Sequence, residues 1–244
     1  MTSYLSYDVE IYNELPEDHI TMDGIIPSIA AIATNKNDLK YFYDTPFMTK
    51  ETGKTLILEM LQYLKQGVIP FTWNGVSFDF ALLAQYTGLV EECAELALNG
   101  VDGMLLVTFN KGFFLGLDTA LMGAGLETKT HSVILNSGLT FSEMSGKLAP
   151  QMWRDGELEA VKTYLAGDVF RPLELITAIE KNHGIRWTSK TGRPNFLSTP
   201  LTPVKDLFKL PHPNCSWMDS KPKPRSEFVN WIPKEILQKY QINP

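Results

Sequence analysis

Two acids near the N-terminus, Asp8 and Glu10, have a spacing that could support chemistry. Leu5, Tyr7 and Val9 alternate with polar positions, which predicts a β-strand, and residues two apart on a strand project from the same face. Two carboxylates held that close repel each other unless a proton or a divalent cation lies between them. The pair therefore indicates a cation site or, more simply, a strand edge guarded by charges.

A third acid, Asp79, comes shortly after an apolar run at residues 68–72 that predicts a fourth strand. Apolar positions from Leu82 onward predict a helix after it, with Ser77 as the N-cap. Asp79 would then lie in the first helical turn, just beyond the end of a strand. A carboxylate there either complements the helix dipole or belongs to a site of the kind that gathers past strand ends in α/β sheets.

The third group is Tyr164 and Asp168, which are four residues apart in a helical pattern that begins at Glu157. This spacing places both side chains on one helix face, one turn apart. Gly167 is a poor helix former that is tolerated where a backbone or a ligand must come close. Pro172 lacks the N–H that would bond the carbonyl of residue 168, so the helix should kink or break after Asp168. Taken alone, the pair is more simply a surface coincidence.

Together the three groups form an ordered set of motifs: Asp-x-Glu on the first strand, Asn-x-x-x-Phe-Asp after the fourth, and Tyr-x-x-x-Asp on a late helix. In this combination the sequence resembles the DEDD superfamily of 3′–5′ exonucleases, which share a ribonuclease H-like fold. A tyrosine at position 164 is typical of the DEDDy branch, and the chain is most similar there to the exonuclease domain of family B DNA polymerases. The resemblance covers roughly residues 3–180 and is weak between 88 and 150. The segment from Ile185 has no counterpart in it.

The resemblance implies a site for two divalent cations, Mg²⁺ or Mn²⁺, with four carboxylate ligands: Asp8, Glu10, Asp79 and Asp168. A site of oxygens alone, with no His/Cys cluster, also suits these ions better than zinc. Two such ions would serve in-line hydrolysis of a phosphodiester bond. By the same likeness Tyr164 would orient the attacking water, and Asn74 and Phe78 would shape the pocket for the terminal nucleotide. Phe78 is equally well a core aromatic at a helix start.

Charge is distributed unevenly along the chain. Residues 1–184 contain 12 Lys/Arg and 24 Asp/Glu, whereas residues 185–244 contain 10 and 4, a net of +6. The basic segment could lie along a phosphate backbone, or it could be a solvated tail rich in lysine and proline. The basic residues closest in sequence to the catalytic helix are Arg186, Lys190 and Arg193, and these are predicted to contact phosphates. Four other cations flank the motif-bearing regions and could meet phosphates, although solvated surface is the default for them: Lys129, Arg154, Lys162 and Arg171.

The overall prediction is an α/β, ribonuclease H-like mixed sheet flanked by helices, with an extended, proline-rich C-terminal segment. Residues 1–184 would form the exonuclease domain, beginning with a three-stranded meander. Residues 185–244 would form a basic extension packed on it through five apolar anchors: Phe196, Leu207, Trp217, Phe228 and Trp231. Asp102 and Asp118 are predicted helix caps. Residues 129–150 are predicted to be mainly loop, and a short helix is expected at residues 233–240.

With 244 residues and 44% hydrophobic content, the chain can bury a full core. Two cysteines, Cys93 and Cys215, are too few for a disulfide scaffold and lack the spacing of a zinc site. No apolar run is long enough to span a membrane and no secretion signal is visible, so a cytoplasmic protein is expected. The resemblance implies that it acts on a single-stranded DNA or RNA 3′ end. Two alternatives remain: a nucleic-acid-binding module that no longer cleaves, and a phosphodiesterase that acts on short oligonucleotides.

Overall fold

A five-stranded mixed sheet lies at the centre of the protein, for which the computed structural model describes residues 2–15, 22–35, 38–219 and 221–243. Its strand order is β3-β2-β1-β4-β5, with β1 and β2 antiparallel, β2 and β3 antiparallel, and the β1–β4 and β4–β5 pairs parallel. The strands are β1 Tyr4–Ile11, β2 Pro27–Thr34, β3 Leu39–Tyr43, β4 Ile69–Thr72 and β5 Val101–Asp102. Every residue of β2 is buried, which confirms the predicted meander and its buried second strand.

Helices surround this sheet. The first group comprises α1 Lys50–Lys65, α2 Asp79–Thr87, α3 Val90–Asn99, α4 Gly103–Lys111 and α5 Leu117–Gly123. The later ones are α6 Ala149–Arg154, α7 Leu158–Asn182, α8 Val204–Leu207 and α9 Lys234–Lys239. Helix α7 packs along β1 and β2, whereas α1, α2 and α3 pack against one another. No helix in the described ranges is both long and apolar enough to cross a bilayer.

Two small hairpins lie outside the central sheet. Strands β6 Val133–Ile134 and β7 Thr140–Phe141 pair within the region predicted to be loop. Strands β8 Gly184–Thr188 and β9 Pro194–Ser198 follow α7 and pack on α5. The first hairpin has only two residues in each strand, which is too short to produce a recognisable period-two pattern.

Of the kink or break predicted after Asp168, the break is wrong, because α7 continues through Pro172 to Asn182. Proline removes one helical hydrogen bond, a loss of about 3 kcal/mol in an isolated helix. Here Pro172 is itself buried, and Val169, Leu173 and Ile176 around it are buried too. Burial of one such apolar side chain contributes about 1.5–3 kcal/mol, so the packed face outweighs the lost bond.

Two of the three cap predictions are also wrong. Helix α2 has no side-chain cap, and the hydroxyl of Ser77 is buried without a hydrogen-bond partner among the described residues. Asp118 lies inside the first turn of α5, whose N-cap is Gly116, and accepts a hydrogen bond from the Lys129 N–H at 2.9 Å. Asp102 does cap α4, since its carboxylate accepts from the Leu105 N–H at 3.0 Å.

The C-terminal segment folds back on the body through some of the expected anchors but not all of them. Leu207 and Phe228 are fully buried, and Trp231 is half-buried. Phe196 and Trp217 were wrongly predicted as anchors, since 46% and 64% of their surfaces are exposed. Aromatic character alone predicted anchoring, but Phe196 points outward on the β8–β9 hairpin, where the Arg186 guanidinium lies 5.2 Å from its ring.

Candidate active site

Three acids from two elements meet above the middle of the sheet. Asp8 and Glu10 lie two residues apart on β1, which is held between β2 and β4. One carboxylate oxygen of each lies within 4.8 Å of the other and of an oxygen of Asp168 on α7. Glu10 and Asp168 are buried, and Asp8 is partly exposed. The strand face predicted to be shared by Asp8 and Glu10 is thus confirmed.

Asp79, the first residue of α2, completes the acidic lining. It is 7% exposed and lines a cavity of about 130 Å³ together with Asp8, Asp168 and Lys129. It is not a member of the tight group of three, but its charge is felt at Asp8. We call the four acids the carboxylate cluster: Asp8, Glu10, Asp79 and Asp168.

Lys129 is the one cation that the described residues bring into this cluster. Its Nζ lies 2.8 Å from Asp168 Oδ2 and 3.4 Å from the hydroxyl of Tyr164. The loop carrying it packs against α7 at Gly167, where a Cβ would lie 2.2 Å from Thr130 Oγ1. Glycine is therefore required at position 167 for the loop to approach, and this loop contact is what brings Lys129 to the acids.

Burial and mutual repulsion raise the pKa values of the carboxylate cluster. The pKa of Asp8 and that of Glu10 lie well above their ordinary values, mainly through burial and then through neighbouring carboxylates. Burial raises the pKa of Asp79 to about 7 despite backbone hydrogen bonds that lower it. Burial also raises the pKa of Asp168, against the opposing charge of Lys129. One lysine therefore compensates the cluster only in part.

The donor set fits a hard divalent cation. All its ligand atoms would be carboxylate oxygens, the type that Mg²⁺ and Mn²⁺ prefer. Asp168 Oδ1 is buried and has no hydrogen-bond partner among the residues that the structure describes. A buried carboxylate oxygen without a partner is costly, and a bound cation would satisfy it.

Tyr164 is buried one turn before Asp168 on α7. Burial and the Asp168 charge raise the pKa of its hydroxyl, although Lys129 opposes this. The phenol therefore stays protonated at neutral pH and can hold a hydrogen bond but cannot serve as a base.

A buried carboxylate, Asp102, shapes the loop that joins β4 to Asp79. Asp102 Oδ1 accepts from the N–H of Asn74 at 3.1 Å, and Oδ2 accepts from the N–H of Val76 at 3.2 Å and the hydroxyl of Thr72 at 3.1 Å. Asn74 adopts a positive φ of 73°, which is uncommon for a residue other than glycine. The sequence indicated a helix cap at Asp102, but the bonds to the loop depend on the β4–β5 pairing and have no local signal.

The predicted nucleotide-binding residues fall into two places. Asn74 and Phe78 line a second cavity of about 680 Å³, which shares Trp73 and Leu117 with the smaller carboxylate cavity. The basic residues Arg186, Lys190 and Arg193 lie exposed on the β8–β9 hairpin, and none of them lines either cavity. Their contact with phosphate stays a prediction.

No family model and no curated protein matches the sequence, so the comparisons rest on solved structures. The chain is similar to the family B DNA polymerase from the hyperthermophilic archaeon Pyrobaculum calidifontis, with 16% identity and a TM-score of 0.52 over 74% of this chain. The chain spans 25% of that polymerase. Exonuclease I of E. coli, in complex with a 5cy-dT13 oligonucleotide, is also similar, with 10% identity and a TM-score of 0.32 over 100% of this chain and 68% of that one.

The likeness to the polymerase, together with the mixed five-stranded sheet, confirms the predicted fold class. The protein has an α/β, ribonuclease H-like fold.

Proposed function

We propose that the protein is a metal-dependent 3′–5′ exonuclease that hydrolyses phosphodiester bonds at the 3′ end of single-stranded nucleic acid. The observation that carries the proposal is the convergence of Asp8, Glu10 and Asp168 within 4.8 Å, with Tyr164 one helical turn from the last of them. The likeness in fold to a family B DNA polymerase also supports the proposal.

In the proposed reaction, a water oxygen bonds to the phosphorus while the bond from phosphorus to the preceding 3′ oxygen breaks. The water loses a proton, the leaving 3′ oxygen gains one, and a nucleoside 5′-monophosphate is released. Two Mg²⁺ or Mn²⁺ ions held by the carboxylate cluster would activate the water and stabilise the leaving oxygen. Tyr164 positions the water through its protonated hydroxyl, because its raised pKa excludes proton abstraction.

Lys129 has a place in the same reaction. Burial lowers its pKa, but Asp168 and Asp8 outweigh that effect and raise it, so the ammonium stays charged. About 29% of its side chain is exposed, so Nζ can reach a phosphate oxygen at the mouth of the carboxylate cavity. We assign Lys129 to hold the scissile phosphate, which would otherwise be repelled by the acids.

The proposal extends to the division of the chain and to its basic segment. Residues 1–184 would be the catalytic domain and residues 185–244 an extension, with Arg186, Lys190 and Arg193 binding phosphates further along the strand. Cys93 and Cys215 are free thiols, which agrees with the proposed cytoplasmic location.

Product analysis on 5′-labelled single-stranded DNA and RNA tests the proposal, with Mg²⁺, Mn²⁺ or EDTA present. We expect progressive shortening from the 3′ end with either ion, none in EDTA, and a loss of several orders of magnitude in kcat for Asp8→Ala and Asp168→Ala. Glu235→Ala, in the first turn of α9, is the control and should keep full activity. Binding by the folded parent protein without cleavage would favour a silent nucleic-acid-binding module. Cleavage of only the shortest substrates would favour a phosphodiesterase for oligonucleotides.

A further inference from the structure

Asp118, in the first turn of α5, binds the backbone of the residue whose side chain reaches the carboxylate cluster. Its Oδ1 accepts a hydrogen bond from the Lys129 N–H at 2.9 Å, and the Lys129 Nζ lies 2.8 Å from Asp168 Oδ2. We propose that Asp118 is a positioning residue: it fixes residues 129–131, which we call the lysine loop, so that the Lys129 ammonium stays at the mouth of the carboxylate cavity. This inference rests on the proposed function, because it gives Asp118 a part in holding the scissile phosphate through Lys129.

The lysine loop is held on three sides. Helix α5 supplies the Asp118 carboxylate to its first residue. Thr130 packs so closely on α7 that a Cβ at Gly167 would clash with its side chain. The carbonyl of His131 accepts from the N–H of Met144, a fully buried residue, at 2.9 Å. The backbone of the loop is therefore fixed by α5, by α7 and by the segment before α6.

Helix α5 is a fixed support because it is itself packed against β8 and α7. At Gly123, its last residue, a Cβ would clash with the Arg186 carbonyl oxygen, so β8 lies directly against this end of the helix. Ala120 and Leu121 are fully buried. Asp118 lies at the opposite end, with 39% of its side chain exposed. An acceptor carried by a packed helix sets the position of its donor more precisely than one carried by a loop.

The backbone position of Lys129 matters because a lysine side chain is long and flexible and loses much rotamer freedom when it is fixed. Its ammonium lies beside both Asp168 Oδ2 and, at 3.4 Å, the Tyr164 hydroxyl. A shift of about 1 Å in a positioned group can lower a rate by up to about 100-fold. Loss of the Asp118 hydrogen bond would allow a shift of this kind while leaving the ammonium itself intact.

A competing explanation is that Asp118 only complements the dipole of α5, since it lies in the first turn. Its Oδ1, however, accepts from a residue 11 positions further along the chain. Burial raises the pKa of Asp168, and the charge of Asp118 adds to that rise, so another negative charge beside the carboxylate cluster is unfavourable. Positioning needs the acceptor oxygen and not the charge, so asparagine should replace Asp118 in this role.

Steady-state hydrolysis tests the role with three variants. Asp118→Ala should raise KM and lower kcat/KM by about 3- to 10-fold, with little change in kcat and no more loss than in Lys129→Met. Asp118→Asn keeps an acceptor for the Lys129 N–H and should stay within about twofold of the parent protein. Asp206→Ala is the matched control and should leave kcat/KM unchanged. Asp206 also lies in the first turn of a helix, with 37% of its side chain exposed, but it contacts Lys209.

A double-mutant cycle separates positioning from a general structural effect. If Asp118 acts through Lys129, Asp118→Ala should have no further effect on kcat/KM in the Lys129→Met protein. A loss of equal size in both backgrounds would mean that Asp118 only supports the fold, and would overturn the inference. So would a loss in Asp118→Asn as large as that in Asp118→Ala, or an Asp118→Ala protein with unchanged kinetics.

Hydrogen exchange of the Lys129 amide adds a readout that needs no activity. Asp118→Ala should speed this exchange by about tenfold, as expected for loss of a hydrogen bond to a charged acceptor, whereas Asp118→Asn and Asp206→Ala should not. An unchanged exchange rate in Asp118→Ala would also overturn the inference. Failure of the parent protein to cleave in Mg²⁺ or Mn²⁺ would instead count against the exonuclease, while the exchange rates still decide whether Asp118 holds the lysine loop.

Discussion

Replacing Asp102 with alanine should destabilise the protein more than any loss of an exposed helix cap. Its carboxylate is fully buried and accepts four hydrogen bonds, from the N–H groups of Asn74, Val76 and Leu105 and from the hydroxyl of Thr72. Burial raises the pKa of Asp102, and these hydrogen bonds limit the rise. Alanine would leave four donors without this acceptor, three of them buried and the Asn74 N–H partly buried.

The expected magnitude follows from those four donors. A buried polar group left unpaired costs about 1–3 kcal/mol, and local relaxation will let some of the four find water. We therefore expect Asp102→Ala to lower the free energy of unfolding by about 3–5 kcal/mol, against a typical total of about 5–15 kcal/mol. With a urea m-value near 3 kcal/mol/M, the midpoint should fall by about 1–2 M.

Two further variants separate the hydrogen bonds from the loss of an acid as such. Asp102→Asn keeps one acceptor oxygen for the N–H groups of Asn74 and Leu105, and the Thr72 hydroxyl can turn to accept from the new amide. Only the Val76 N–H then loses its acceptor, so the cost should be lower than that of alanine. Asp44→Ala is the control, because Asp44 is partly exposed and its hydrogen bonds from the N–H and hydroxyl of Thr49 lie at the surface. It should cost about 1 kcal/mol. Equal urea midpoints for Asp102→Ala and Asp44→Ala would refute the reasoning.

Four other changes test the site itself. Tyr164→Phe should lower kcat about tenfold to a thousandfold with little change in KM. A fully active variant would mean that Tyr164 only packs beside Asp168. Lys129→Met should raise KM and lower kcat/KM by about tenfold or more, measured by steady-state hydrolysis, whereas unchanged kinetics would place Lys129 outside the reaction. Without metal, the raised pKa values of the carboxylate cluster mean that the folded state binds more protons than the unfolded chain between about pH 4 and pH 7. In EDTA the melting temperature should therefore fall as pH rises through this window, and it should recover on adding Mg²⁺. A melting temperature that rises with pH in EDTA would contradict this. Replacing Arg186, Lys190 and Arg193 together by alanine should flatten the plot of log K against log salt by up to about 2 units at unchanged kcat, and an unchanged slope would place the nucleic acid elsewhere.

The parts of the site that the sequence predicts are those fixed by local periodicity. Asp8 and Glu10 share a strand face, and Tyr164 and Asp168 share a helix face, so two elements carry four side chains whose relative directions follow from spacing alone. Their convergence in space did not follow from spacing, and required the ordered set of motifs. The fold class could be predicted from the same ordered set of motifs.

The parts that could not be predicted depend on contacts between distant segments. Lys129 reaches Asp168 across a loop, and the fit of that loop depends on Gly167 lying under Thr130. The hydrogen bonds of Asp102 join β5 to the loop after β4. In both cases the local sequence carries no signal for the contact, which arises only from tertiary packing. The error at Pro172 has the same origin, since the local rule for proline was outweighed by burial of the surrounding helix face.

The mutually repelling acids Asp8, Glu10 and Asp168 lie on β1 and α7, two well-packed elements of the fold. Strand β1 is paired on both sides within the sheet, and α7 is packed along it by a buried face that runs the length of the helix. The raised pKa values of Asp8 and Glu10 mean that holding these charged carboxylates together destabilises the folded state. Tight packing of the surrounding elements is what prevents the side chains from moving apart. The 680 Å³ cavity, by contrast, is bounded by the loop after β4 and by the C-terminal segment. The carboxylates are thus held by the paired sheet and α7, whereas the wider cavity beside them is closed by a loop and the C-terminal segment.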